Sequence, residues 1–509
     1  MRYTPPPWRS QCASANPSRM TRWSWRHIQI GLKGLGDASG PGAKLAYLRY
    51  AAAQGLYLLI RPELESAHGG GRAGAVDRAY LDALTTANDL EAMARRALPV
   101  TVTPDRPASF NLLTPLLNPG AFFGGYRAYL GFAAALMRSG ARVRFIATDQ
   151  MEGSRADIVA ACTRVAPDMA HTLTHAEIVD RVGPTPAPLE VSRHDVFVAF
   201  SCAGAALAHN TTQSFAPGRP FVFFAQDEEG HFHAHDSRRA WKLSTYGLPH
   251  IAIYNSPWLE DYFRSEKLGP FATGALGRRA LHFRHALDHA PPPPADALDT
   301  RTSRKLFFFA RPEKHTARNL FELGLNGLRL AAQRGLFEPS VWTLHAVGTN
   351  AYPAIALPGG RRLEFTGRLP LEAYRAALPN YDVGLAPMFS PHPSVPNFEL
   401  AAAGVPTVTT TFANRPAPAL TAAAPNLIPV AASVEAIADG LAAAHDRALD
   451  GARRVRDAAF DWPRAWSQAF DDDWIRRFCE ILSAELSETT AWALAPQGRL
   501  APPTAQTPG

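Results

Sequence analysis

Residues 305–348 read KLFFFARPEKHTARNLFELGLNGLRLAAQRGLFEPSVWTLHAVG. A short apolar run, KLFFFA, gives way to a helical pattern, NLFELGLNGLRLAAQ. A second apolar run, SVWTLHAVG, follows. The alternation continues through LEFTG, LEAYRAAL, YDVGLAPM, FELAAAG, VPTVTTT and VEAIADGLAAAHDRAL. Strand and helix in alternation imply a mostly parallel sheet covered by helices. The segment 305–460 is thus one α/β domain.

Reading toward the N-terminus, residues 284–304 form a linker. It is stiffened by Pro291 to Pro294, with Asp, Thr and Ser around them. Before it, residues 99–283 carry a second alternating set: FNLLTPL, YRAYLGFAAALMRSG, RVRFIAT, IVAACTRV, VFVAF, FVFFAQ and LEDYFRSE. The helix after Gly125 has apolar residues at 126, 129, 130, 133, 136 and 137, one face at 3.6 periodicity, and Gly140 ends it. The expected fold is α/β: two doubly wound, Rossmann-like domains facing a cleft. Ligands of such sheets bind at the carboxyl ends of strands.

The ends differ in texture. Residues 1–98 read as a basic tail followed by a helical extension. Residues 44–98 give two helices broken at His68 to Gly74. The GxGxxG match there (Gly69, Gly71, Gly74) follows RPELESA, which ends a helix, and not the strand a dinucleotide site needs; it reads as a loop. Leu45–Ile60 has apolar residues at 45, 48, 52, 56 and 59, which suits either a helix packed on the body or an interfacial helix on a membrane. A single C-terminal helix is expected within 461–487, with Asp461 as N-cap and Pro463 in its first turn. Its stripe of Trp462, Trp466, Phe470, Trp474, Phe478 and Leu482 recurs every four residues. It therefore winds by about 40° per step, as a kink or contact with both domains would require. Residues 488–509 read as a disordered, Pro-rich tail.

Composition excludes several classes. The net charge of +7 is concentrated in residues 1–36, which carry Arg2, Arg9, Arg19, Arg22, Arg26 and Lys33 and no acid. The remaining chain holds 46 basic and 45 acidic groups, so no nucleic-acid groove is expected. The basic segment reads as a floppy tail, as a transit-peptide-like leader, or as sequence preceding a true start at Met20. No segment reaches the ~20 apolar residues of a membrane span. Four scattered cysteines give no disulfide framework and suit a reducing, cytoplasmic compartment.

HExxH, GxSxG, Walker A and CxxC patterns are missing. Asp471-Asp472-Asp473 reads as a solvated helix face. His231, His233 and His235 alternate; on a strand they could share a metal, in a loop they are more often unliganded. Asp227 ends the strand FVFFA and faces the cleft, unless it merely caps a turn. In the second domain, Arg311, Lys314 and Arg318 follow the strand LFFFA, where three cations suit a diphosphate. The stretch SPHPSVPNFELAAAG, 390–404, follows YDVGLAPM and opens a short helix. Its free N–H groups form an anion site, Ser394 adds a hydroxyl, and Glu399 lies in reach of a ribose diol.

These residues resemble the donor half of family-four GT-B glycosyltransferases. FARPEKHTARNLFELGL, DVGLAPMFSPHPSVPNFELAAAGVPTVT and FFAQDEE are similar to the WsaF-type rhamnosyltransferases, over about residues 108–485. The resemblance implies a retaining transferase that uses a nucleotide sugar, dTDP-L-rhamnose, without a metal or other cofactor. The acceptor would be a glycan or lipid-linked glycan at the inner face of a membrane, with peripheral membrane contact. Arg311 and Lys314 would offset the leaving diphosphate, with Arg318 close by, and Glu399 would hold the ribose. Gly124 and Gly125 would approach the donor, and Asp227 would face the acceptor hydroxyl. The family commonly has a second glutamate eight residues before Glu399; Pro391 stands there, which makes His392 a candidate contact to the sugar. Two other readings compete: a non-catalytic nucleotide-sugar or glycan binding subunit of a polysaccharide assembly complex, and a sugar-nucleotide epimerase.

Overall fold

The computed structural model describes residues 72–118, 124–165, 174–183, 186–272, 279–287 and 291–486. The basic tail, the Leu45–Ile60 helix, Gly69, Gly71 and the 488–509 tail lie outside these residues. The chain divides into two compact units, residues 1–85 with 183–187, and residues 86–182 with 188–509. In the first, the described part is chiefly the start of the helix Arg72–Arg95. Residues 72–74, expected in a loop, are helical. The alanine-rich, proline-free sequence from Arg72 onward favours helix strongly enough to absorb Gly74.

The second unit holds two seven-stranded sheets. The strands of the first domain are β1 (Val100–Val102), β2 (Phe110–Leu117), β3 (Val143–Met151), β4 (Glu177–Asp180), β5 (Leu189–Val191), β6 (Val196–Ala199), β7 (Phe221–Ala225), β8 (His250–Asn255) and β9 (Ala280–Phe283). Seven of them pair in the order β4-β3-β2-β6-β7-β8-β9, all parallel, and β1 pairs with β5 alone. The second domain contains β10 (Arg304–Phe309), β11 (Trp342–Val347), β12 (Ile355–Ala356), β13 (Arg362–Phe365), β14 (Val383–Leu385), β15 (Thr407–Thr410) and β16 (Leu427–Val430). Their order is β12-β13-β11-β10-β14-β15-β16, parallel except for β12. Every residue of β7 and β8 is buried. That is why these strands read as unbroken apolar runs: helices cover both faces. Strand order reverses between β2 and β6 and between β10 and β14, which places a ligand crevice at each switch point.

The linker is not wholly extended; Ala295–Asp299 forms a short helix after the prolines. The C-terminal segment also departs from expectation. It is two helices, Trp466–Ala469 and Asp472–Leu486. The chain breaks at Phe470 (φ −128°, ψ 66°), and Asp471 accepts the Trp474 N–H at 2.8 Å as a cap. Asp461 caps nothing; its carboxylate lies 3.1 Å from Arg284. The break lets the aromatic stripe stay on one surface. Phe470, Trp474, Phe478 and Leu482 all join the first-domain core around Phe132. No helix among the described residues is long and apolar enough to cross a membrane.

Trp466 seats on the helix Gly125–Arg138 at Gly131, where a Cβ would fall 2.6 Å from the indole. Helix propensity alone would make Gly131→Ala stabilising by about 1 kcal/mol. The clash with a 1 % exposed indole reverses the sign, since overpacking costs about 1–3 kcal/mol. Gly131→Ala should therefore lower the melting temperature. A rise would show that Trp466 is free to shift.

Candidate functional site at the two switch points

Beyond β10 the chain runs Ala310-Arg311-Pro312-Glu313 and enters the 3₁₀ helix Lys314–Asn319. The Arg311 Nε lies 3.1 Å from Glu313 Oε2, and its guanidinium centre is 5.9 Å from the Phe309 ring. Glu313 also accepts from Thr349 Oγ1 at 2.6 Å. Burial raises the Glu313 carboxyl, but the hydrogen bonds from Thr349 and the backbone and the Arg311 charge outweigh it, and it stays below its ordinary value. Thr349 follows Gly348, whose φ of +95° suits glycine and whose Cβ would sit 2.6 Å from the Phe309 ring. Arg311 is thus aimed by a carboxylate braced from the end of β11. Lys314 is exposed.

Arg318 does not gather with these two on one ligand face. Its Nε is 3.0 Å from Asp227 Oδ2, in the first domain, and its guanidinium centre lies 4.1 Å from the Phe232 ring. Asp227 follows β7 and is 5 % exposed. Its Oδ1 accepts the Ser390 hydroxyl and, at 2.9 Å, the Glu228 N–H. Burial raises its carboxyl, against the lowering effects of Arg318 and the Ser390 hydrogen bond. Both carboxylate oxygens are engaged, so Asp227 ties the two domains together here. His231 also turns inward, 3.2 Å from Tyr262 Oη and from Glu228 Oε2. Among the described residues no three His, Cys, Asp or Glu side chains are grouped to hold a metal.

The proline-rich turn after β14 is rigid for identifiable reasons. The fully buried Arg415 donates to the carbonyls of Ser390 and Met388, each at 2.9 Å. Burial pulls its pKa down to about 10. Ser394 has φ +71°, a conformation that costs a non-glycine residue energy and is held only where the surroundings dictate it. It precedes the helix Val395–Ala402, whose N-terminus carries no side-chain cap. His392 Nδ1 accepts the Ser394 N–H at 3.1 Å. Burial, then Arg415 and Arg318, bring its pKa down to about 3, so the ring is neutral and carries its proton on Nε2.

Glu399, on that helix, is 4 % exposed. Its Oε2 accepts the Tyr374 hydroxyl at 2.8 Å, and its Oε1 lies 3.4 Å from Arg127 Nη1. Arg127 comes from the first domain, in the first turn of the helix that begins at Gly125. Gly124 precedes it with φ +47°, and a Cβ on Gly125 would be 2.8 Å from Gln226 Oε1. The structure therefore brings Gly124, Gly125, Asp227, Arg318, His392, Ser394 and Glu399 to one interdomain seam.

A family model described as the WsaF N-terminal domain matches residues 109–257, and one described as the WsaF C-terminal domain matches residues 304–442. The chain belongs to the WsaF family. The O-antigen biosynthesis protein RfbC of Myxococcus xanthus is 29% identical over 295 residues, 57% of this chain and 21% of that protein. The match thus spans about a fifth of that relative's length. Among solved structures, sucrose-phosphate synthase from Thermosynechococcus elongatus superposes with a TM-score of 0.46 at 13% identity, covering 74% of this chain and 100% of that one. HepE of Anabaena, in complex with UDP, gives 0.46 at 14% identity, with 75% and 100% coverage.

In this WsaF-family chain four contributors went unread from sequence: Arg127, Tyr374, Ser390 and Arg415. Arg127 left a trace, being the one charged residue between Gly125 and Arg138. The others act through contacts distant in sequence, and nothing in their neighbours announces them.

The neutral, buried His392 has a stability consequence. Unfolded, it takes a proton below about pH 6.5; folded, it stays neutral to about pH 3. The unfolded state binds more protons in between, so stability present above pH 6.5 is lost as the pH falls, by about 2 kcal/mol at pH 5. His392→Asn keeps an acceptor for the Ser394 N–H and removes the titration. Between pH 7 and pH 5 it should lose about 2 kcal/mol less than the wild type in denaturant unfolding; equal losses would refute the assignment.

Proposed function

We propose that this chain transfers L-rhamnose from dTDP-L-rhamnose, with retention at the anomeric carbon, to a growing glycan in cell-surface polysaccharide synthesis. The observation that carries the reading is the meeting of cations and a helix N-terminus at the second sheet's switch point. Arg311 and Lys314 follow β10 and the helix Val395–Ala402 follows β14, and these parallel neighbours end on the same edge of the sheet. The resemblance to WsaF-type rhamnosyltransferases supports the sugar, and the similarity to the O-antigen biosynthesis protein RfbC supports the polysaccharide. The acceptor is then a lipid-linked glycan presented at the inner membrane face.

In this reading the bond between the anomeric carbon and the β-phosphate oxygen breaks. Arg311, Lys314 and the helix N–H groups stabilise the departing diphosphate as its charge develops, which is electrostatic catalysis without a metal. The acceptor oxygen bonds the anomeric carbon on the face the phosphate leaves. Its proton passes to a phosphate oxygen, so no separate base is required. Asp227 positions Arg318 and Ser390. Glu399, held by Tyr374 and Arg127, meets the sugar ring of the nucleotide.

A second reading, a non-catalytic donor-binding subunit, draws on Pro391, which stands where the family commonly has a carboxylate. Turnover separates the two. In a panel of nucleotides and nucleotide sugars, dTDP and dTDP-L-rhamnose should raise the melting temperature; a ligand at ~100 times its Kd adds about 2.7 kcal/mol. Transfer or hydrolysis of the donor should fall by about 100-fold in Arg311→Ala. Binding without turnover in the wild type would favour the second reading, and full activity in Arg311→Ala would sink the site.

A further inference from the structure

Beneath the His392–Ser394 turn, the seam between the domains encloses a small cavity. Asn255 at the end of β8, the following Ser256, and His285 just past β9 line it from the first domain; His392 and Ser394 line it from the second. One wall is apolar, built by Phe398 and Trp462 stacked with ring centroids 4.2 Å apart. The volume, about 10 Å³, has room for the oxygen of one water or one hydroxyl and not for a sugar ring.

The lining is unusual in its hydrogen bonding. Asn255, Ser256 and His285 are 2 %, 2 % and 3 % exposed. Yet Asn255 Oδ1, Ser256 Oγ and both ring nitrogens of His285 have no hydrogen-bond partner among the described residues. Buried polar groups are ordinarily satisfied, and a cluster of orphans around one cavity marks a place for a missing polar group. That group must both donate and accept. His285 is ringed by Arg127, Arg375 and His392, and burial holds it neutral, with one N–H and one lone pair to offer. Asn255 Oδ1 only accepts; the Ser256 hydroxyl does either. A hydroxyl satisfies this set, whereas an ammonium or a phosphate does not fit the volume or the mixed polarity.

We propose that this cavity is a notch that reads one hydroxyl of the donor sugar, with Ser256, Asn255 and His285 as the reading groups. The inference rests on the nucleotide-sugar reading given above. The donor is favoured over the acceptor because the roof of the notch, His392 to Ser394, is the turn that leads into the helix assigned above to the leaving diphosphate. The first group attached to that diphosphate is the donor sugar. A site built to bond a hydroxyl discriminates strongly against an analogue that lacks it, because its own polar atoms are then left unpaired. The notch thus supplies a sugar contact from neutral groups beside a turn, 390–394, that carries no carboxylate.

Ser256→Ala and His285→Phe test this. Each removes orphaned polar atoms, and His285→Phe keeps a ring against Trp466, which His285 meets edge-on at 4.7 Å. Neither should lower the melting temperature of the free protein. The probes are dTDP, UDP and their commercially prepared sugar conjugates, dTDP-L-rhamnose among them. The wild type should bind one nucleotide sugar at least tenfold more tightly than the matching nucleotide. In both variants that margin should vanish, with affinity for the bare nucleotide unchanged. A margin retained in both variants, or absent from a wild type that binds the nucleotide, overturns the notch alone. No binding of any nucleotide to the wild type overturns the nucleotide-sugar reading, and the notch with it.

Discussion

Two buried carboxylates, one from each domain, are neutralised by an arginine from the other. Asp227 in the first domain meets Arg318 of the second; Glu399 in the second meets Arg127 of the first. A carboxylate so buried is unstable as an anion without such a partner. Removing one member of a buried pair typically costs about 3–5 kcal/mol, much of it the charge left behind. Each switch point therefore depends on the opposite domain for its electrostatic balance. The geometry of the crevice follows from that dependence. Arg127 is aimed by a helix seated on Trp466 through Gly131, and Arg318 by the 3₁₀ helix that also carries Lys314. The C-terminal helices that return to the first-domain core thus set where Arg127 can reach.

The same pairing bears on how an anionic donor enters. Opening the seam exposes Arg127 and Arg318 to water or to a new anion. On the proposed reading a diphosphate is that anion, and its negative charge compensates the guanidinium groups as the protein carboxylates withdraw. The crevice then closes around a ligand that restores the charge balance the free protein keeps internally. Domain closure and donor binding become one event, with no separate switch.

What the sequence showed and what it hid divide along a physical line. Strands buried on both faces leave continuous apolar runs, so β6, β7 and β10 and the doubly wound order were readable from VFVA, FVFFA and KLFFF. That Arg311 and Lys314 follow β10 and that a helix follows β14 was readable too, but not that Arg318 turns to Asp227 of the other domain. The break at Phe470 was only hinted at by the winding stripe, because a cap such as Asp471 competes with helix by a local hydrogen bond that periodicity does not register. Cross-domain partners were invisible. Asp227 lies 163 residues from Ser390, and Arg127 lies 272 from Glu399; no local pattern encodes such distances.

The turn at 390–394 is built without a carboxylate. A carboxylate at position 391 would need cations or N–H donors to keep it charged in so buried a place. Instead Pro391 and Pro393 stiffen the chain, Arg415 holds the carbonyls of Met388 and Ser390, and Ser394 is kept at φ +71°. Arg415 has carbonyl oxygens as its hydrogen-bond acceptors, so backbone dipoles solvate its charge, with Asp227 a further, more distant compensation. Burial first, and then Arg415 and Arg318, hold His392 neutral. On the proposed reading such a turn has no charged group with which to hold the sugar. Recognition of the sugar would then fall to neutral donors and acceptors, and unpaired ones lie at Asn255, Ser256 and His285, which line the same cavity.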